Sequence, residues 1–165
     1  MDININIKRL SPDVVIPKYG HVLDAGFDLV ASEDVIIEPG ETKLVPTGLA
    51  LDIPYGYILE IRPHSGITLK TRLRVQLGMV DSVYNGEIGV IVDNIWREEC
   101  GSTPRLCILN GKTEYLDGIY YPKFTYLIRK GDRIAQGVIK PIEYAVFTEA
   151  AALGDSDRGT SQFKV

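Results

Sequence analysis

The chain has 165 residues, room for one domain, and its 45% hydrophobic and 24% charged composition excludes an intrinsically disordered polypeptide. Lys and Arg number 18 against 22 Asp and Glu, leaving a net charge of −4 and a pI near 5.2, which argues against a dedicated nucleic-acid binder. No run approaches the ~18 apolar residues of a membrane helix, and MDININIKRL has no signal-peptide core, so a cytoplasmic protein with no membrane or nucleic-acid partner is expected.

Ile3, Ile5 and Ile7 alternate with polar residues, the period of a half-buried strand. Val35-Ile36-Ile37 and Thr42 to Thr47 flank a Pro39-Gly40 turn; Gly48 to Ile53 and Gly56 to Ile61 flank Pro54-Tyr55-Gly56. Each reads as strand, turn, strand. Gly89 to Val92 and Ile134 to Ile139 are further apolar strands, and Thr148 to Leu153, with three alanines, is the one place where a turn or two of helix is expected. Short strands punctuated by 16 Gly and 9 Pro predict an all-β barrel or sandwich over a single domain, residues 1–165. Residues 95–123 carry Trp96, both cysteines and Tyr120-Tyr121-Pro122, and are expected to form an inserted hairpin that meets a neighbouring chain. Cys100 and Cys107 cannot make a disulfide framework, and His21 and His64 lie far from both, so reduced thiols are expected rather than a metal site.

Four segments carry candidate chemistry. In Asp24 to Leu29 the Ala25-Gly26 pair permits close backbone approach, and Asp28 is placed to orient a cation or a neighbouring side chain, or simply to hold a turn. In Arg62 to Thr68, Ser65 and Gly66 can cradle a phosphate through backbone N–H groups and a hydroxyl, with His64 either a further donor or a packed side chain. In Gly78 to Ile88, Asp81 follows an apolar pair, the setting of a partly desolvated carboxylate able to act as a general base, and Tyr84 can stack on a planar ligand. A plain turn formed by Asp and Asn-Gly fits that segment equally. Asp155 to Val165 suits a flexible arm, residues 155–165, closing over a phosphorylated ligand, as well as an ordinary polar end.

Together with Gly131 to Gln136, these segments in their order and spacing resemble the five motifs of the homotrimeric dUTPases, the dUTP diphosphatases. Ala25 to Leu29 match motif one, His64-Ser65-Gly66 answer the Arg-Ser-Gly of motif two, and Gly78 to Glu87 fit motif three. Arg133 to Gln136 give motif four intact, and Arg158-Gly159 with Phe163 preserve part of motif five. The stretch between motifs three and four looks like the insertion of some bacteriophage members.

The resemblance implies a jelly-roll-like β-barrel with little helix and sites shared between three chains. Asp81 would deprotonate the water that attacks the α-phosphorus of dUTP, with Mg²⁺ held mainly by the triphosphate and water and by no protein ligand. His64, Ser65, Gly66 and Gln136 would bind phosphate, and main-chain groups of a hairpin from Val75 to Met79 and Val80 would read the uracil edge. Tyr84 would pack on the deoxyribose, Phe163 would stack on uracil, and Arg158 would contact the γ-phosphate. Three departures stand out. His64 replaces a guanidinium, Val83 replaces a commonly acidic residue, and Gln162 and Lys164 replace glycines before Val165. Phosphate clamping is therefore expected to be weakened. That leaves a second reading, a nucleotide-binding regulatory protein on a dUTPase scaffold, with slow or no turnover and a protein partner at 95–123. The related dCTP deaminases carry a catalytic glutamate on the strand where this chain reads Val90-Ile91-Val92, which disfavours deamination.

Overall fold

Glycines and prolines set the corners of the chain, and short strands run between them. The computed structural model describes residues 3–97, 101–152 and 154. The central sheet has the order β2 (Phe27–Val30), β15 (Arg133–Pro141), β6 (Tyr57–Pro63), β8 (Gly78–Asp81), all antiparallel neighbours. A second sheet runs β4 (Thr42–Pro46), β9 (Gly89–Asn94), β7 (Leu73–Val75). A third runs β12 (Thr113–Tyr115), β11 (Arg105–Cys107), β14 (Tyr126–Ile128), β3 (Val35–Ile37). Two small ladders remain: β1 (Asn6–Arg9) pairs with β5 (Leu49–Asp52), and β10 (Ser102–Thr103) pairs with β13 (Tyr121–Pro122). The fold is all-β and of the jelly-roll type. Among the described residues no helix is long and apolar enough to cross a membrane.

Alternation explains the core. Phe27 and Leu29, Leu59 and Ile61, and Val90 and Val92 point inward from successive strands and are buried, joined by Ile37, Val45, Leu73, Ile128 and Ile134. Each such side chain contributes about 1.5–3 kcal/mol by leaving water. The outward partners show the other half of the pattern. Leu44 and Ile91 lie opposite one another across β4 and β9, 64% and 46% exposed.

The strand, turn, strand segments do not close into hairpins. β3 pairs with β14 and β4 with β9, although only a Pro39-Gly40 corner separates them. β5 pairs with β1, whereas β6 lies between β15 and β8. The corners send consecutive strands to different sheets, and Gly40 and Gly56 turn there at φ +79 and +85, the left-handed region that other residues avoid. One buried polar residue fastens such a corner. Asn94, 1% exposed, donates to the carbonyls of Ile37 (3.1 Å) and Phe124 (2.9 Å) and accepts from the Trp96 N–H (3.2 Å).

The helix expected at Thr148 to Leu153 is not there. Residues 148–152 are irregular and exposed, and Leu153 lies outside the described residues. A three-alanine stretch with no apolar stripe gains nothing by coiling against the body. The one helix of the described residues, α1 (Ser65–Lys70), forms instead where a phosphate-cradling loop was expected. His64 caps it, Ile67 buries its inner face, and the Thr71 hydroxyl donates to the Ile67 carbonyl at 2.7 Å.

Residues 101–123 form two ladders. The β11–β12 hairpin extends the third sheet through a single parallel pairing of Cys107 with Tyr126. Cys107 is a free thiol, and its burial raises its pKa. Cys100, with Glu98 and Glu99, lies outside the described residues.

Candidate active site

Three segments far apart in sequence meet at one end of the central sheet. β15 places Gln136 between Asp28 of β2 and Arg62 of β6, and Ala135 opposite Pro63. Such closeness requires small residues. A Cβ on Gly26 would stand 3.2 Å from the Gly137 carbonyl oxygen, and one on Gly137 would stand 2.6 Å from the Phe27 ring. The close backbone approach read from Ala25-Gly26 is therefore present. Asp28, half-buried, receives Arg133 Nη1 at 3.3 Å on one carboxylate oxygen and faces His64 Nε2 at 4.0 Å on the other. Motifs one, two and four converge in this cluster.

His64 does more than line it. Its Nδ1 accepts the Gly66 N–H at 3.2 Å, and its carbonyl accepts from the N–H groups of Ile67 and Thr68 at 3.1 and 3.2 Å. Beside it lies a cavity of about 320 Å³, bounded by Gly66 and Lys70 of α1, Asn110 of the β11–β12 turn, and Arg129 and Arg133. Arg129 is paired with Glu114 of β12 and lies 3.4 Å from Asp34; the Glu114 carboxylate raises its pKa. Lys70, Asn110 and Arg129 were missed in the sequence. Only the spacing of Lys70, four residues after Gly66, could have suggested that it shares a helix face with the motif.

Motif three stands elsewhere. β8 pairs with β6 so that Asp81 lies opposite Ile58, and Gly78 opposite Ile61. Asp81 is exposed, so its own chain does not supply the partial desolvation expected of it. The turn that follows is built around the Tyr84 ring. Its hydroxyl donates to the Glu87 carbonyl at 3.0 Å, and Glu87 in turn accepts the Gly48 N–H at 2.8 Å. Tyr84 remains 48% exposed.

The expected Val75 to Val80 hairpin is not a ladder. β7 pairs with β9 and β8 with β6, so the segment bridges two sheets, and the Gln76 N–H donates to the Ile91 carbonyl at 2.9 Å. Val75 points into the core at 8% exposure, whereas Met79 is 69% exposed. Arg158 and Phe163, with the 155–165 arm, lie outside the described residues.

Asp81 cannot reach the Asp28–His64 cluster within one chain. From Ile58, opposite Asp81, to Pro63, opposite Ala135, there are five residues of strand, about 17 Å at ~3.3 Å per residue.

Among the described residues no three His, Cys, Asp or Glu side chains group to hold a metal ion. The Asp28 carboxylate is already paired with Arg133. Mg²⁺ dehydrates reluctantly and is commonly bound through substrate phosphates and water with one or two carboxylates.

An all-β jelly roll thus carries the Asp28–His64–Arg133 cluster at one end of its central sheet and the Asp81 carboxylate toward the other. Comparison with known proteins gives the class. The dUTPase family model matches residues 13–105. The deoxyuridine 5'-triphosphate nucleotidohydrolase of Nautilia profundicola is 38% identical, over 96% of this chain and 95% of that protein. The Rhodococcus erythropolis protein of the same name is 37% identical, over 98% and 84%. Among solved structures, the dUTPase of Staphylococcus bacteriophage 80alpha with dUpNHpp superimposes with a TM-score of 0.91 at 31% identity, covering 97% of this chain and 96% of that one. A point variant of the phage phi11 dUTPase of S. aureus, described with a structural Mg(II) ion, gives 0.86 at 30% identity, covering 91% and 98%. The chain belongs to the dUTPase family.

Proposed function

We propose that this protein hydrolyses dUTP to dUMP and pyrophosphate, as a homotrimer in the cytoplasm. The observation that carries the reading is the convergence of Asp28, His64, Arg133 and Gln136, drawn from three motifs, at one end of the central sheet. The full-length relatives act, by name, on the same nucleotide.

Asp81 holds a water by its carboxylate and takes its proton as the oxygen attacks the α-phosphorus in line. The α–β bridging oxygen leaves with pyrophosphate. Ser65, Gly66 and Gln136 hold phosphate oxygens, and Arg158 of the arm adds a bidentate contact. Mg²⁺ would arrive on the triphosphate rather than on a side chain of this protein, and when bound would supply charge neutralisation for the leaving pyrophosphate. Main-chain groups from Val75 to Val80 face the uracil edge, Tyr84 packs on the deoxyribose, and Phe163 stacks on the base.

The separation of about 17 Å between Asp81 and motif four along β6 supports a shared site, in which Asp81 of one copy serves the phosphate cluster of another. A second copy would also cover Leu44 and Ile91, and the exposed Val146 and Phe147 near the end of the described chain. The test is pyrophosphate release from dUTP against dCTP, dTTP and UTP. Turnover of dUTP alone is expected; ammonia from dCTP, or no turnover of any of them, overturns the assignment.

A second reading adds a protein partner at 95–123. Tyr115, Ile119 and Tyr120 are 56%, 52% and 69% exposed on that segment. The phage 80alpha enzyme is described as controlling transfer of virulence genes. Replacing the exposed Ile119 and Tyr120 together by Ser should leave dUTP turnover and abolish binding to such a partner.

A further inference from the structure

We infer that His64 is a positioning residue whose neutral imidazole occupies a phosphate donor, so that triphosphate binding draws a proton onto its Nδ1 atom. The inference rests on the reading that Ser65 and Gly66 hold phosphate. In this structure the Gly66 N–H is not free for that role, because it donates to His64 Nδ1 at 3.2 Å. A ring nitrogen accepts only when it carries no hydrogen, so the proton of this imidazole belongs on Nε2, which faces Asp28 Oδ1 at 4.0 Å. A Cβ on Gly66 would stand 3.4 Å from the same Nδ1, in ordinary van der Waals contact.

A proton added at Nδ1 changes three things together. The atom becomes a donor, so it can no longer accept from Gly66 and the amide is released. The ring gains a positive charge beside the phosphates, where relatives of the Arg-Ser-Gly pattern carry a permanent one. Nε2–H keeps its orientation toward Asp28. The charged neighbours of the ring pull in both directions. Asp28 from β2, Asp132 from the turn before β15 and Glu114 from β12 favour the proton; Arg133 from β15, Lys70 from α1 and Arg129 oppose it. A triphosphate arriving in the cavity tips the balance, since its negative charges are added while those of the protein stay fixed. The proton comes from solvent with the nucleotide and returns to solvent when product leaves. A guanidinium would neither block the amide nor need the proton.

The experiment compares kcat/KM for dUTP between pH 6 and 9 in wild type, His64→Asn and His64→Arg, at fixed Mg²⁺. Asn keeps the capping acceptor and is neutral throughout, so its profile is expected to be low and to lack the His-dependent fall. Wild type should fall relative to it as pH rises, by up to about tenfold per pH unit. His64→Arg should not fall and should exceed wild type at pH 9. Ionisation of dUTP itself is common to all three and cancels in the ratios. Calorimetry with non-hydrolysable dUpNHpp at pH 8, in two buffers of different ionisation enthalpy, should show uptake approaching one proton per site in wild type and none attributable to His64 in His64→Asn. If His64→Asn unfolds, His64→Gln repeats the comparison. Profiles of one shape with equal proton uptake overturn the inference. If wild type neither binds dUpNHpp nor hydrolyses dUTP at any pH, it is the dUTPase assignment that fails.

Discussion

The ring of Tyr84 lies over Gly86 so closely that a Cβ at Gly86 would stand 2.5 Å from the Tyr84 hydroxyl oxygen. Gly86 is thus the floor on which the Tyr84 ring rests, and a methyl there must push it away. Gly86→Ala should lower kcat/KM for dUTP about ten- to a hundredfold. It should also narrow the preference for dUTP over UTP, because the displaced ring no longer excludes a 2′-hydroxyl. Steady-state kinetics with both nucleotides decide; an unchanged ratio removes Tyr84 from sugar selection.

Asp81→Asn preserves size and hydrogen bonding but cannot take a proton. Turnover should drop by roughly 10²–10⁴, while affinity for dUpNHpp is retained. Near-normal turnover would assign the base elsewhere.

Assembly should depend on the outward face of β4 and β9. Light scattering should give a mass near three times 18.3 kDa. Leu44→Glu sets a charge directly opposite Ile91 on that face, and should shift the mass toward one chain and lower activity in parallel. A fully active monomer would contradict the shared site.

Asn94→Ala strips two buried carbonyls and one N–H of their partner at once. The expected loss is about 2–4 kcal/mol, read as a fall in Tm with the unfolding transition still cooperative. A change of a few tenths would mean that water replaces the amide.

Asp13 is held at a pKa of about 2, first by the Lys130 ammonium and then by the Ser11 hydroxyl. A carboxyl lowered by folding stabilises the native state above its ordinary range near 4, and the contribution disappears as pH falls through about 2. NMR titration of the Asp13 carboxyl should show the low midpoint in wild type and a higher one in Lys130→Ala. Equal midpoints would show that the ion pair does not hold it.

Strands could be read from the sequence because β-branched runs between turn formers are a local signal, as in Val90-Ile91-Val92; which of those three faces inward is not written there. Pairing could not. Nothing near Pro39-Gly40 says that Ile37 will meet Tyr126 while Val45 meets Val90. Helix α1 was missed for a related reason. Its capping residue is a histidine and its inner face is Ile67 alone, a pattern too short for a helical period to emerge. Site residues set in motifs were legible by resemblance, whereas Lys70, Asn110 and Arg129 owe their place at the cavity to tertiary contact with the β11–β12 hairpin. Asp81 was read as partly desolvated because strand-end carboxylates commonly are; in this fold the cover is not provided by the chain that carries it.

The last long strand supplies the middle of the central sheet. β15 separates β2 from β6, so residues 27–30 and 57–63 have no common ladder until residues 133–141 are laid between them. On the ribosome, the edges of β2 and β6 that face β15 must therefore stay unpaired until residues 133–141 have emerged. Closing loops of this length before any reward makes folding slow and leaves a window for edge-to-edge association. Yield in cells should thus respond more to synthesis rate and temperature than to changes in the nucleotide site.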